Sequence, residues 1–238
     1  MRRYAIILVF LSIAAVLHGM QYCTDTINVD SEILNETRSI LIFHPERMKA
    51  NVACDLLYML DGEWAESRFA LLEEGQETNP LIAIGIINTN RNRDMLPLKE
   101  AERFMDFIEL ELIPLLEEKF MVKNRILYGH SFAGGFTINV MLKKPGLFDK
   151  YIASSPTPIM TFIDPQVYID LDHHLNKEVK LYFSYGSRDM RQVKKWAAKL
   201  HSSLHILEFE HLKWENEILE GMNHNTSVPT AFKMGLDF

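Results

Sequence analysis

Residues 126–136 read ILYGHSFAGGF: an apolar run stops at Gly129, offers one hydroxyl at Ser131, and resumes through small residues into further apolar positions. RILYG at 125–129 has the length and composition of a buried strand, and FTINVMLKK, ending before Pro145, has those of a helix. A serine at such a junction fits a nucleophile elbow, usually spelled G-x-S-x-G, with Ala133 in the second small position. The turn is tight, so residues two places either side of the serine must be small. It pushes the Ser131 hydroxyl out over the carboxyl ends of the strands. The first helical amide, that of Phe132, then turns toward the same point and can donate to a developing oxyanion.

Outward from this junction, strands and helices alternate. RSILIFHP from residue 38, CDLLYMLDG, LIAIGIIN at 81–88, KYIASSP, VKLYFSYG and HILEFE read as strands. Lys99 to Phe120 reads as a long helix with Phe104, Ile108, Leu112 and Leu115 on its buried stripe, kinked or restarted at Pro114. MRQVKKWAAKLHSS and SVPTAFKMGL read as later helices. Near-continuous apolar strands such as LIAIGII suit a sheet covered on both sides. The expected class is α/β, a mostly parallel central sheet with helices on both faces.

A serine hydroxyl needs a base and an orienting carboxylate, which in this architecture follow in the order Ser, Asp or Glu, His. Gly186-Ser187-Arg188-Asp189 follows one expected strand, and Gly221-Met222-Asn223-His224 follows the last. Ser131 is therefore read as nucleophile, His224 as general base and then acid, and Asp189 as the group fixing the imidazole tautomer. Asp189 would otherwise serve as a helix N-cap, with Asp164 and Asp172 as substitutes. His130 is expected to point away from Ser131. The YMLDGEW stretch offers a second oxyanion donor at the N–H of Gly62 or Glu63.

Length and composition, 238 residues with 47% hydrophobic and 24% charged, bound a globular chain of one or at most two domains. The opening MRRYAIILVFLSIAAVLHGMQ sets two arginines before an apolar stretch of about fifteen residues, the layout of a secretory signal peptide over residues 1–20. A spanning helix wants about 20 apolar residues. Residues 21–238 are thus expected as one secreted or periplasmic catalytic domain without stable membrane insertion after cleavage. Losing Arg2 and Arg3 takes the net charge from −7 to −9, which disfavours nucleic acid. Export would also permit a Cys23–Cys54 disulfide, left open by the sequence. His173-His174 beside Asp170 and Asp172 invites a metal reading, but adjacent histidines rarely face one ion; a solvated loop and no metal are expected.

These stretches carry a likeness. The chain resembles small serine esterases of the alpha/beta-hydrolase superfamily, in the esterase-D-like group that includes siderophore lactone esterases. The likeness covers SEILNETRSILIFHP, YMLDGEW, NRNRDMLP, GHSFAGGF, KPGLFDKYIASSP, the GSRD segment and GMNHNTSVPTAFKMGLDF. It implies an alpha/beta-hydrolase fold, a small-molecule ester substrate, no cofactor, and the roles given above for Ser131, Asp189, His224, Phe132, Gly62 and Glu63. The chain departs from the family where a tryptophan pair is replaced by Thr157-Pro158-Ile159-Met160, and where Leu96 stands for the threonine before Pro97.

Substrate contacts are expected from Trp64, His130 and Tyr168. Residues 156–178 are read as a possible lid, with Phe162, Val167, Tyr168 and Leu171 over an acyl or aryl group; the alternative is that they pack the sheet edge. The expected activity is ester hydrolysis through an acyl-enzyme. An acyltransferase would use the same residues, and a binding protein on an inactive hydrolase fold would need them broken. Oligomeric state is not legible.

Overall fold

The computed structural model describes residues 15–17, 20–46, 52–71, 80–96, 99–157 and 165–238. Most of the expected leader, together with Pro97, Pro158, Ile159, Met160, Phe162 and Asp164, lies outside these residues. The chain groups into two compact units, Met1–Asp94 with Lys99–Lys123, and Met95–Leu98 with Asn124–Phe238.

In the first unit β1 (Ala15–Leu17) pairs antiparallel with β2 (Met20–Ser31), and β2 with β3 (Glu36–Pro45). β3 pairs antiparallel with β5 (Leu81–Ile86), which lies parallel to β4 (Cys54–Met59). β2 was not foreseen. It carries Thr24, Asp25, Thr26, Asn28 and Asp30 and lacks an apolar run. Its place comes instead from a long hairpin register with β3, closed by a turn in which Asn35 takes φ 55° and Ser31 Oγ accepts the Leu34 N–H at 2.9 Å.

A 3₁₀ turn, Gly62–Trp64, leads into α1 (Ala65–Phe69), and α2 (Arg91–Met95) follows β5. The buried Arg38 side chain on β3 meets Asp94 of α2 at 2.6 Å, tying that short helix to the sheet. The long expected helix is three pieces: α3 (Lys99–Phe107), a π-helical segment Ile108–Leu112, and α4 (Ile113–Glu117). Pro114 cannot supply an amide to the ladder and its ring crowds the preceding turn, and the wider π turn relieves that conflict just before it. Leu116, one further step of four after Phe104, Ile108 and Leu112, is buried, and Leu115, expected on the stripe, is half-buried.

The second unit is a parallel sheet in the order β6 (Val122–His130), β7 (Lys150–Ser154), β8 (Val179–Gly186) and β9 (Leu212–Leu219). α5 (Phe132–Lys143) packs on β7, and α7 (Arg191–His205) packs on β8. α8 (Val228–Asp237) lies on β7 and β8, and α6 (Pro165–His174) packs between α5 and α7. Gly235 lets α8 approach closely, because a Cβ there would stand 2.4 Å from the Ile152 side chain. Lys150 and Lys180 reach the carbonyls of Leu236 and Phe238, each at 2.7 Å, and fasten the end of that helix.

HILEFE is not the last strand. His205 closes α7 and Ile206 is 70% exposed, while the strand is Leu212–Leu219. The buried carboxylate of Asp172 sets this register by accepting the N–H groups of Glu210, His211 and Leu212 at 2.8, 2.9 and 2.7 Å. Pairing with β8 starts only at Leu212, opposite Val179. His173 and His174 likewise sit in the last turn of α6, exposed to solvent and not in a loop.

Burial pushes the Asp172 carboxyl up, but the three backbone donors outweigh it and hold it below its ordinary value. Its contribution to stability is therefore complete above the ordinary carboxylate range and is lost as pH falls through the lowered folded value. Asp172→Ala leaves the N–H groups of Glu210, His211 and Leu212 without their acceptor, that of Leu212 in a buried position, and a loss of about 1–3 kcal/mol is expected in urea unfolding at neutral pH. The difference from the parent should narrow as pH is lowered below 4.

Candidate active site

Ser131 joins β6 to α5 with φ 61° and ψ −119°, a region that an L residue enters only under constraint. Three backbone hydrogen bonds impose it. The Ser131 N–H donates to the Ser154 carbonyl, and the Ser131 carbonyl accepts from the N–H groups of Gly135 and Thr157, all at 3.0 Å. The strand and helix meet so closely that a Cβ on Gly129 would lie 2.2 Å from the Ala133 carbonyl oxygen, and one on Gly134 2.8 Å from that of Ser154. Gly134 is thus a packing requirement against β7 as well as a neighbour of the small position at Ala133.

Two further loops converge on the serine. Asp189 follows β8, and its N–H returns to the Gly186 carbonyl at 2.9 Å. His224 follows β9. The two loops are laced together: Ser187 N–H to Leu219 O and Arg188 N–H to Met222 O, both 2.9 Å, and Gly221 N–H to Ser187 Oγ at 2.8 Å. Gly186 allows this approach, since a Cβ there would stand 2.2 Å from the Met222 carbonyl oxygen.

The result is a continuous chain of side chains. His224 Nδ1 lies 2.8 Å from Asp189 Oδ1, and His224 Nε2 lies 2.9 Å from Ser131 Oγ. A carboxylate can only accept, so Nδ1 carries the proton and, in the neutral ring, Nε2 accepts from the serine hydroxyl. Burial pushes the Asp189 carboxyl up, but hydrogen bonds from His224, from the Ser155 hydroxyl and from the Met190 N–H bring it below its ordinary value. Asp189 is buried and ionised, and the His224 side chain is 20% exposed, open to a reacting molecule. Asp189 does not cap α7 in the way a competing reading allowed: the residue before that helix is Met190, and no side-chain cap is formed.

Other expected residues fall differently. His130 does not point away. Its ring lies 4.6 Å from that of His224, centroid to centroid, with Nδ1 3.1 Å from Ser154 Oγ. Tyr168 is 1% exposed, and burial pushes its hydroxyl well up, so it packs as core between α6 and its neighbours and offers no face to a substrate. Leu171 is buried too, so what the structure shows of the expected lid is a packed helix. Asp172 serves β9, as described, and not the histidine.

In the other unit, Trp64 is 63% exposed. Gly62 fits under β5, where a Cβ would meet Gly85 and Ile86 backbone at 2.6 Å, and Glu63 Oε1 accepts the Asn88 N–H at 2.9 Å. Asp61, at φ 55°, is clamped by Arg91 through Nε at 2.6 Å and Nη2 at 2.8 Å.

Cys23 and Cys54 are both free, and burial raises the Cys54 thiol to about 11. Among the described residues, no group of three potential ligands could hold a metal, and no helix is long and apolar enough to cross a membrane. His201 and His205 do have helical i, i+4 spacing, but their rings stack 5.4 Å apart at 12°, and His201 abuts Trp214.

The missed residue is Ser155. Its buried hydroxyl donates to Asp189 Oδ2 at 2.6 Å. SSP at the end of β7 gave no local sign of this, because the partner is 34 residues away.

A parallel sheet with a strained serine at a strand-to-helix elbow, and an aspartate and a histidine on later strand-end loops, is the architecture of an alpha/beta-hydrolase. A family model described as putative esterase matches residues 31–227, and the chain belongs to that family. The ferri-bacillibactin esterase BesA of Bacillus subtilis is 27% identical over 149 residues, 58% of this chain and 51% of that protein. The match thus spans about half the length of that relative. Among solved structures, the BES protein from Bacillus cereus aligns with a TM-score of 0.80 over 97% of this chain and 98% of its own, at 21% identity. An IroE-like serine hydrolase from Shewanella oneidensis gives 0.77 over 90% and 78%, at 24% identity. These likenesses establish the alpha/beta-hydrolase fold.

Gly186→Ala tests the lacing of the two loops. The added methyl has backbone and no flexible side chain to displace, so a destabilisation of at least about 1–3 kcal/mol is expected in thermal or denaturant unfolding.

Proposed function

We propose that the protein hydrolyses carboxylic esters through Ser131, His224 and Asp189. The observation that carries this reading is the continuous 2.9 Å and 2.8 Å path from Ser131 Oγ through the imidazole to a buried carboxylate. Ser131 Oγ attacks the ester carbonyl as His224 Nε2 takes its proton. Asp189 stabilises the imidazolium so formed. The Phe132 N–H, at the start of α5, donates to the oxyanion, aided by the positive end of the helix dipole. His224 then gives the proton to the leaving alkoxide, an acyl group stays on Ser131, and a water deprotonated by His224 attacks it, releasing the acid as His224 returns the proton to Ser131 Oγ. The ring of His130, beside His224, would touch the substrate or its leaving group. The BesA match favours a siderophore ester over a simple lipid ester.

Ser131→Ala should lower kcat on a short-chain p-nitrophenyl ester by roughly four to six orders of magnitude, equivalent to roughly 5–8 kcal/mol of barrier. A fluorophosphonate should leave its adduct on Ser131, seen by peptide mass spectrometry. Undiminished turnover by Ser131→Ala would overturn the assignment. Comparing a catecholate trilactone with p-nitrophenyl esters of increasing acyl length checks the substrate class by kcat/KM.

A further inference from the structure

We propose that Ser155 is a positioning residue for the Asp189–His224 pair, its buried hydroxyl holding the carboxylate oxygen that the imidazole does not use. The inference rests on the catalytic reading above and extends it to a fourth side chain. Asp189 Oδ1 accepts from His224 Nδ1 at 2.8 Å and from the Met190 N–H at 2.6 Å. Oδ2 accepts from Ser155 Oγ at 2.6 Å, the donor found on that oxygen among the described residues. With only Oδ1 held, small rotations about the Cβ–Cγ bond are resisted by the alignment of its two hydrogen bonds alone. With both oxygens held, the plane of the group, and hence the direction from which it meets Nδ1–H, is set.

The backbone at Ser155 argues that this hydroxyl is placed for the purpose. Ser155 has φ 44°, left-handed for a non-glycine residue, in a fully buried position immediately before Pro156. Glycine would relieve that strain, yet the position carries a side chain, and the strain aims its oxygen at Asp189. Its N–H is satisfied by the Ser184 carbonyl at 2.7 Å, so the backbone amide makes no demand on the hydroxyl.

The contacts close into a ring around the histidine. Ser227 Oγ donates to the His224 carbonyl at 3.1 Å and lies 3.3 Å from Ser155 Oγ. Each hydroxyl has one proton. That of Ser155 is committed to the carboxylate and that of Ser227 to the His224 carbonyl, so the 3.3 Å approach of the two oxygens is a packing contact and not a further hydrogen bond. His224 is therefore held twice, at its ring through Asp189 and at its backbone through Ser227, with Ser155 touching both holders.

Ser155→Gly and Ser155→Ala test this in the full chain. Both remove the hydroxyl, and the glycine variant also relieves the strained φ, so one variant remains available should the other fold poorly. Two readouts apply. The downfield proton resonance of His224 Nδ1–H, assigned by its absence in His224→Asn, should shift or broaden in both variants of the unliganded protein. On a p-nitrophenyl ester, kcat should fall about ten- to hundredfold, the size expected for a hydrogen bond to a charged group, with KM little changed. Ser155→Cys, which keeps a weak donor, should recover part of kcat. Folded variants that keep the parental resonance and the parental kcat would overturn the proposal. Failure of the parent to turn over esters, with the resonance still lost in the variants, would instead overturn the proposed activity and leave the positioning role supported.

Discussion

The strained backbone of Ser131 is the constraint on which the second unit's organisation depends. A φ of 61° with ψ of −119° is unfavourable by about 1–3 kcal/mol for a serine, and it persists because hydrogen bonds to Ser154, Gly135 and Thr157 over-determine it. Those bonds demand that β6 and α5 nearly touch, which demands glycine at 129. They also demand that β7 end beside the elbow, which brings Ser155 and Thr157 to the same place. One turn thus dictates residue size on both of its sides and the course of the neighbouring strand.

His224 and Asp189 reach that turn by a different device. Their loops follow β8 and β9 and are bonded to each other before either is bonded to the serine, through Ser187, Arg188, Gly221 and Met222. The two loops therefore form one bonded piece beside the serine. Its register is inherited from farther off, since Asp172 fixes where β9 begins and hence where β9 delivers His224. Asp172, on α6, thus acts at the start of the strand whose far end leads to His224.

Much of this was legible in the chain because it was local. The elbow announces itself in eleven consecutive residues, and the strands β3 to β8 are apolar runs with clear punctuation. The positions of Asp189 and His224 follow from chain order and from glycine-rich loops after strands. What escaped was set by distant partners. β2 and β9 carry polar residues and pair with strand neighbours along their length, so neither shows an apolar run, whereas HILEFE shows the right alternation in a segment that Asp172 keeps out of register. In the 99–117 segment spacings of three and four are both helical, so the pattern alone did not choose between Leu115 and Leu116 as the last buried position. Tyr168 looked like a lid residue since nothing local shows that α6 is packed between α5 and α7. Ser155 and the closeness of His130 to His224 depend on side chains brought together from far along the sequence, and no spacing rule reports them.

The distribution of buried polarity supports a functional reason for this cluster over a stabilising one. Ser154, Ser155, Thr157, Ser184, Asp189 and Ser227 are all buried at or just beyond the carboxyl ends of β7 and β8 and in the loop after β9. Elsewhere the same strands bury Ile152, Leu181, Tyr182 and Phe183. Apolar side chains of matching shape would stabilise the fold as well or better, because a buried carboxylate must recover its lost hydration from fixed donors. Asp189 recovers it from three: an imidazole, a hydroxyl and an amide. Donors fixed before a reaction begins need no rearrangement when charge develops on the neighbouring imidazole. Under the proposed reaction that benefit has no counterpart in stability alone, and it would favour a strained serine at 155 over a glycine, which has no hydroxyl to offer Asp189.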